Sequence, residues 1–396
     1  MGPFSLCTER ASISAPLTLK FERLEFVWDL NFEIWNLRRD FTPDSALNPC
    51  LPSVMPSNAL PLLTDLLKAV SRSFYLTLRV LPSAVRPQIG LAYLLARTTD
   101  TIADTELIPV EQRLAALHEL RGRIAGTRTQ PVDFGALAAV QPEIPGGGTN
   151  AERVLLERAE EAIALLANCR AEDRKLIRDV LATITSGQEL DLQRFRAARA
   201  DHIVALHSDQ DLDDYTYRVA GCVGEFWTRL CRAHLFPHAT ISDAALLHDG
   251  VCFGKGLQLV NILRDLPRDL RSGRCYLPSE QLARAQLAPA DLLNPAVAPR
   301  LRPVYDELLD LAESHLSAGW EYTNALPRSE VRVRLACAWP VLLGVKTLAR
   351  LRHENPLDPA QRVKVSRAEV RSIIVNTVVK YPFARAWENL FAQAKG

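Results

Sequence analysis

Four polar residues recur at helical spacing within one apolar segment, QLVNILRDLPRD. They are Gln258, Asn261, Asp265 and Asp269. At about 100° per residue, they occupy an arc of roughly 80° on one face of a helix. Leucine, valine and isoleucine surround them, so burying this helix would remove two carboxylates and two amides from water. Such burial requires a counter-charge.

A second segment, YLLARTTDTIAD, repeats the pattern. Its polar residues are Tyr93, Arg97, Asp100 and Asp104, and they fall on an arc of roughly 60°. Two carboxylates ~5 Å apart repel each other by ~3 kcal/mol at an effective dielectric constant near 20. A cation would offset that repulsion, and Mg²⁺ is usually held by one or two carboxylates together with substrate phosphates. The two segments therefore predict a magnesium site and a diphosphate substrate.

Two simpler arrangements are also compatible with this kind of residue spacing. Each set of four polar residues, called a stripe below, could be the solvated face of a surface helix. The same aspartate spacing in two apolar segments favours a shared cavity instead. His234 and His238 have the helical spacing of metal ligands, but Pro237 lies between them and breaks the helix that would align them. We therefore expect no metal site at the histidines.

Four motifs of this chain resemble the squalene and phytoene synthase family, the head-to-head prenyl synthases. They are SRSFYLTLRVLP at 71–82, ARTTDTIAD, DDYTYRVAGCVG and QLVNILRDLPRDLRSGRCYLP, in the order of the family. The resemblance covers roughly residues 60 to 350. It implies an all-α isoprenoid synthase fold, a single helical bundle around a central active-site cavity.

The resemblance also implies a reaction. Two farnesyl diphosphates would join through presqualene diphosphate, which is then reduced to squalene with NADPH. Phytoene synthase and dehydrosqualene or presqualene diphosphate synthase, which omit the reduction, remain alternatives, as does a non-catalytic assembly factor with the same fold. Chain-elongating prenyltransferases carry DDxxD, and neither stripe has adjacent aspartates.

Site residues carry over from the family by motif. The metal ligands would be Asp100, Asp104, Asp265 and Asp269. The arginines matched to diphosphate contacts are Arg72, Arg97, Arg264 and Arg274. The remaining pocket positions are Ser71, Tyr93, Tyr215, Gln258 and Asn261, with Tyr215 assisting proton loss or stabilising the cation. Lys364, in a VKV segment resembling the flap of squalene synthases, would bind NADPH, although Ser366 stands where that pattern has a second basic residue.

Composition excludes several classes. A net charge of +1 gives no field for nucleic acid, and the eight cysteines form no CxxC pair that would indicate zinc or a disulfide framework. No run reaches the ~18 to 20 apolar residues of a membrane span. We expect a cytoplasmic protein without a transmembrane segment, associating at most peripherally with a membrane for product release. The sequence does not fix its oligomeric state.

The helical periodicity predicts one all-α domain over residues 55–396, after an aromatic-rich extension, 1–54, that is either a docking arm or structurally dispensable. Helices are predicted up to Asp104 with a turn at Pro82 and Pro87, and then at 113–124, 151–168, 172–195, from Leu212, 302–325, 328–352 and 367–380. Residues 129–150 look like an insertion and 196–211 like a connector. Pro267 is expected to end its helix before Asp269. Ala220, Gly221 and Gly224 would let a ligand or another helix approach closely.

Overall fold

The computed structural model describes residues 65–71, 74–139, 149–360 and 363–396. The helices are α1 (Leu67–Ser71), α2 (Phe74–Val80), α3 (Arg86–Asp104), α4 (Val110–Ala125), α5 (Gly135–Ala139), α6 (Asn150–Glu157), α7 (Ala159–Ala167), α8 (Ala171–Arg194), α9 (Asp209–Thr216), α10 (Cys222–His234), α11 (Asp243–Arg271), α12 (Ser279–Arg284), α13 (Ala298–Ala325), α14 (Val331–Leu351), α15 (Arg367–Lys380), α16 (Ala384–Glu388) and α17 (Leu390–Lys395). The all-α prediction is confirmed. The predicted extension 1–54 and its boundary lie outside the described residues.

Helix ends follow the local signals for the most part. Pro87 occupies the first turn of α3, where a missing N–H costs nothing. Thr149 and Glu152 form a capping box that starts α6. The predicted single helix at 151–168 is wrong, because the backbone of Arg158 leaves the helical region (φ −103°, ψ 11°) and separates α6 from α7.

The 196–211 connector contains a short strand that the periodicity did not indicate. This strand, β1 (Val204–Ala205), pairs in parallel with β2 (Arg274–Cys275), which follows α11. The pairing fixes the chain immediately beyond α11 and sets the position of Arg274.

The expectation that Pro267 ends its helix is wrong, since α11 continues to Arg271 and carries Asp269 within it. A proline has no N–H to donate to the carbonyl four residues earlier, which here is that of Leu263. The buried hydroxyl of Tyr305 on α13 donates to that carbonyl at 2.9 Å instead. A side chain from a neighbouring helix thus replaces the missing bond.

The small residues before and within α10 permit a close helix–helix contact, as predicted. A π-helical turn, Tyr217–Gly221, joins α9 to α10. A Cβ atom added at Gly224 would lie 1.8 Å from the carbonyl oxygen of Gly250, and one at Gly254 would lie 2.2 Å from that of Ala220. The backbones of α10 and α11 are therefore too close for any side chain at these positions.

Two apolar clusters fill the bundle. One is built mainly on α3, α4, α7 and α8, and the other on α11, α13 and α14. Helix α11 packs against α10, α13 and α14, while α8 packs against α3, α4 and α10. The two aspartate-bearing helices thus lie in neighbouring parts of one bundle. None of the helices within the described ranges has the length and apolarity needed to cross a bilayer.

Candidate active site

A cavity opens between α3, α8, the α9–π segment and α11. Its walls combine carboxylates, an arginine and amides with apolar side chains. The lining residues are Asp100, Ala103, Asp104, Ile184, Gln188, Asp191, Leu192, Tyr215, Val219, Gln258 and Arg274. Five residues predicted from the sequence, Asp100, Asp104, Tyr215, Gln258 and Arg274, therefore line one cavity.

Arg97 holds the Asp100 side of the cavity. Its guanidinium donates to Asp100 Oδ2 at 2.8 Å and to Glu152 Oε1 at 2.6 Å, and all three side chains are largely buried. Burial opposes the charge of Arg97, but the neighbouring carboxylates outweigh it and raise the pKa of this group. Glu152 also caps α6, so the helix cap and the site share one carboxylate.

The Asp100 carboxylate is 7% exposed. Burial raises its pKa, although the charge of Arg97 and hydrogen bonds from Arg97 and Gln188 act in the opposite direction. Desolvation therefore dominates even with a guanidinium at 2.8 Å. A second cation in the cavity would favour the ionised carboxylate.

Helix α8 supplies a wall that the sequence reasoning missed. Gln188 is 7% exposed and its Nε2 donates to Asp100 Oδ1 at 3.3 Å. The Gln188 Oε1 atom is buried and accepts no hydrogen bond from any residue that the structure describes. Asp191, one turn later, also lines the cavity. Gln188 and Asp191 are polar residues at i, i+3 spacing beside the apolar Ile184 and Leu192. Polar residues at helical spacing in an apolar segment are the same signal that identified the two aspartate stripes.

Asp191 organises the opposite rim of the cavity. Both its carboxylate oxygens accept from the Tyr276 hydroxyl, at 2.9 and 3.0 Å, and Oδ2 lies 3.7 Å from Arg274 Nη1. The Tyr276 ring packs against that of Tyr215 with centroids 4.7 Å apart. Asp191 thus positions an arginine and, through Tyr276, an aromatic pair at the cavity.

Of the four polar residues predicted to share one face of α11, the first two in the sequence lie at the site. Gln258 and Asn261 are each 2% exposed. Asn261 Nδ2 donates to Gln258 Oε1 at 3.4 Å, and Gln258 Nε2 donates to the Tyr215 hydroxyl at 3.5 Å. These amides link α11 to α9 at the cavity wall.

Asp265 and Asp269 lie further along α11, each 8% exposed. Asp265 accepts two hydrogen bonds from the adjacent Arg264, at 2.9 and 2.7 Å. The described walls of the cavity include neither aspartate. Their placement opposite Asp100 and Asp104 across the cavity stays a prediction.

The other predicted site residues are dispersed. The Tyr93 hydroxyl donates to the Val70 carbonyl at 3.4 Å. Ser71 is the last residue of α1, and Arg72 lies outside the described residues. Lys364 is exposed just before α15, where its carbonyl accepts from Arg350. It belongs to the lining of neither cavity defined by the described residues.

A second, largely apolar cavity adjoins the first. Its lining residues are Thr77, Ala220, Val223, Gly224, Trp227, Gly250, Phe253, Gly254, Leu257, Tyr322, Ala336, Cys337 and Pro340. In the π-helical turn, Val219 lines the polar cavity and Ala220 lines the apolar one. On α11, Gln258 lines the polar cavity and Leu257 lines the apolar one. Consecutive residues of the π-helical turn and of α11 therefore form the boundary between the two.

The polar cavity fits a small, hard cation. Its donors are oxygens: the buried carboxylate of Asp100, the carboxylate of Asp104 and the unpaired Gln188 Oε1. Within the described ranges, no three histidine, cysteine or acidic side chains converge on one point. Such a sparse donor set matches Mg²⁺, which keeps several waters and takes substrate phosphate oxygens rather than requiring a full protein cage.

A sequence model of the squalene/phytoene synthase family matches residues 67–369, well over half of the chain. The chain belongs to the squalene/phytoene synthase family. Members of this family are prenyltransferases that join prenyl diphosphates head to head. The family predicted from the four motifs is confirmed.

Individual relatives differ in product. The chain is 30% identical over 298 residues to a presqualene diphosphate synthase of Zymomonas mobilis, a match that covers 75% of this chain and 85% of that enzyme. It is 24% identical over 323 residues to a squalene synthase of Schizosaccharomyces pombe, covering 79% of this chain but only 64% of that enzyme. Among solved structures, the TcSQS complex with E5700 has a TM-score of 0.66 at 21% identity, covering 85% of this chain and 98% of that one. This likeness confirms the isoprenoid synthase fold.

Proposed function

We propose that this family member catalyses the magnesium-dependent, head-to-head condensation of two farnesyl diphosphates through presqualene diphosphate. The proposal further holds that it carries the reaction on to squalene with hydride from NADPH. One observation supports the condensation above all: a carboxylate- and arginine-bearing cavity shares its wall with a largely apolar cavity. Ionising a prenyl diphosphate requires both environments side by side.

The polar cavity would bind the diphosphate. Arg274 is held at its rim by Asp191, at 3.7 Å, and presents a cation suited to phosphate oxygens. Asp100 and Asp104 would hold Mg²⁺, which neutralises the charge that develops on the departing diphosphate. Gln188 would orient the Asp100 carboxylate through its 3.3 Å hydrogen bond.

The aromatic pair and the apolar cavity would protect the allylic cation. The Tyr215 and Tyr276 rings pack at an angle of 31°, and the faces of aromatic rings carry negative electrostatic potential that attracts cations. Tyr215 lines the polar cavity, and its hydroxyl oxygen, which accepts from Gln258 Nε2 at 3.5 Å, would stabilise the cation. Apolar walls built from α10, α11 and α14 exclude water that would quench the cation to an alcohol.

The reductive step is supported by sequence resemblance alone. Lys364 lines neither the polar nor the apolar cavity formed by the described residues. A second candidate function, release of presqualene diphosphate as the final product, is favoured by the 30% identity to the Zymomonas mobilis enzyme, of which 85% is matched.

Product analysis tests both candidates. The purified chain is incubated with farnesyl or geranylgeranyl diphosphate and Mg²⁺, with and without NADPH, and the products are separated by gas or liquid chromatography with mass detection. Squalene formed only with NADPH supports the full proposal, and presqualene diphosphate under both conditions supports the second candidate. Phytoene from geranylgeranyl diphosphate, or no condensation at all, would overturn the choice of substrate or of reaction.

Variants connect the activity to the cavity. Asp100→Asn should lower turnover by at least 100-fold, since it removes a charged ligand from the proposed magnesium site. Asp179→Asn is the matched control, because Asp179 lies on the solvent side of α8 in an exposed pair with Lys175. Equal activity of the two variants would disprove the role of Asp100.

A further inference from the structure

Glu152 joins two parts of the molecule through its two carboxylate oxygens. Its Oε2 accepts from the backbone N–H of Thr149 at 2.6 Å, and its own N–H donates to Thr149 Oγ1 at 3.2 Å, which completes the capping box of α6. Its Oε1 accepts from Arg97 Nη2 at 2.6 Å. One side chain therefore both starts α6 and holds an arginine of α3.

Arg97 connects this glutamate to the polar cavity. Its Nη1 donates to Asp100 Oδ2 at 2.8 Å, and Asp100 lines that cavity. The side chains of Arg97 and Asp100 are only 8% and 9% exposed. A long arginine side chain has many rotamers, and bonds to two carboxylates restrict it more than one bond would. Glu152 therefore restricts the positions of Arg97, and through it those of Asp100.

Charge gives Glu152 a second effect on the cavity. Arg97 and Asp100 alone would form a neutral pair, whereas Arg97 between two carboxylates leaves one negative charge in excess. This excess lies in a buried region, where water and salt screen it weakly. A neutralised Asp100 would attract a divalent cation poorly, so the second carboxylate favours binding of the cation.

Helix α15 begins with the same arrangement in another part of the bundle. Glu369 closes a capping box with Ser366, and Arg350 Nη2 donates to Glu369 at 2.6 Å. The described residues that line the polar and apolar cavities include neither Glu369 nor Arg350. What distinguishes Glu152 is thus the further bond from its arginine to Asp100.

We propose that Glu152 is a positioning residue of the active site, which acts through Arg97 to fix the Asp100 carboxylate and to keep it attractive to a divalent cation. The inference rests on the proposed function, in which Asp100 is a magnesium ligand. None of the four sequence motifs contains Glu152, because it follows Asp100 by 52 positions and reaches the site only through the packing of α6 on α3.

Glu152→Gln separates the two roles of the side chain. Glutamine also serves at this position of a capping box, so α6 should still form. It has one acceptor oxygen where glutamate has two, and it lacks the negative charge. The readout is the thermal shift produced by Mg²⁺ with a non-reactive farnesyl thiodiphosphate. We expect the half-saturating concentration of Mg²⁺ to rise roughly fivefold or more. Without metal, the thiodiphosphate itself should bind as tightly as to the wild type or more tightly, because an anion is repelled less.

Thr149→Val and Glu369→Gln are the controls. The first removes the hydroxyl that caps α6 and leaves Glu152 bonded to Arg97, while the second makes the same glutamate substitution on α15. Both should lower the melting temperature and leave the magnesium dependence unchanged. Glu152→Asp keeps the charge and should bind Mg²⁺ more tightly than Glu152→Gln. Circular dichroism verifies that each variant is folded.

Several outcomes would overturn the proposal. They are a wild-type magnesium dependence in Glu152→Gln, an equal change in Thr149→Val, and a Glu152→Asp variant no better than Glu152→Gln. Weaker binding of both Mg²⁺ and the metal-free thiodiphosphate by Glu152→Gln would show only a loosened site and would also refute it. A wild-type protein without any magnesium-dependent shift would refute the proposed metal site as well, so the two failures are distinguishable.

A crystal structure of the wild-type protein with Mg²⁺ and the thiodiphosphate tests the proposal without any variant. The bonds from Arg97 to Glu152 and to Asp100 should both persist in that complex. A guanidinium that has left Glu152 to contact the diphosphate would contradict a positioning role for Glu152.

Discussion

Replacing Gln188 with leucine should weaken magnesium binding without destabilising the protein. In the metal-free protein two effects oppose each other. The variant loses the 3.3 Å hydrogen bond to Asp100, worth about 1 to 2 kcal/mol for a long bond to a charged group. It also removes a buried Oε1 atom that accepts no hydrogen bond within the described part of the chain, which relieves a penalty of about 1 to 3 kcal/mol. We expect the free energy of unfolding to change by less than about 1 kcal/mol.

For magnesium binding, no second effect offsets the loss of the hydrogen bond from Gln188 to Asp100. The hydrogen bond from Gln188 lowers the pKa of Asp100 against the larger effect of burial, so its loss raises that pKa further. Only the ionised carboxylate binds the cation, and a loss of about 1.4 kcal/mol corresponds to a tenfold change in affinity. The half-saturating concentration of Mg²⁺ should rise about tenfold. The acidic limb of the magnesium dependence should also move to higher pH, because protons compete with the metal over a wider range.

Gln88→Leu is a closely matched control on α3, the helix that carries Asp100. Gln88 is also 7% exposed and its Nε2 donates to Asp173 Oδ2 at 3.3 Å, while its Oε1 likewise has no hydrogen-bond partner among the described residues. It does not line the polar cavity. The assays are turnover against Mg²⁺ concentration, and the thermal shift produced by Mg²⁺ with a non-reactive farnesyl thiodiphosphate. Unchanged magnesium dependence in Gln188→Leu, or an equal shift in both variants, would refute the reasoning.

Three further predictions address the fold. Gly224→Ala should lower the free energy of unfolding by at least ~2 kcal/mol, since the added Cβ would lie 1.8 Å from the Gly250 carbonyl oxygen. The control is Gly122→Ala, whose added Cβ would have its nearest neighbouring atom at 3.4 Å. In the same denaturant titration this variant should be as stable as the wild type or more stable. Burial alone would raise the pKa of Glu369, but hydrogen bonds from the α15 cap and α14 lower it to about 2. The ionised Glu369 therefore stabilises the fold above about pH 4.5, and this stabilisation is lost as the pH falls toward 2. After allowance for solvent screening, Glu369→Gln should lower the free energy of unfolding by about 1 kcal/mol at pH 7 and leave it unchanged near pH 2. Removing residues 1–54 should leave a folded, active enzyme, because the family match begins at residue 67; loss of soluble protein would contradict this.

The sequence alone determined the helical class, the main helix boundaries and half of the polar cavity. Helical periodicity is local, so the spacing of Asp100 and Asp104 was sufficient to place them on one face of α3. The spacing of Gln258 within an apolar segment likewise placed it on the buried side of α11. Capping residues and prolines act within a single turn, so they too could be interpreted without neighbours.

Only the tertiary structure decided which partners these residues have. Arg97 contacts Glu152, 55 positions away, and Asp191 contacts Tyr276, 85 positions away. No local pattern encodes these pairings, because they depend on how α8 and the β1–β2 connection pack against the other helices. The same reason explains the misjudged end of α11: whether a proline breaks a helix depends on whether another element can satisfy the carbonyl it leaves free, and here the Tyr305 hydroxyl does so from α13.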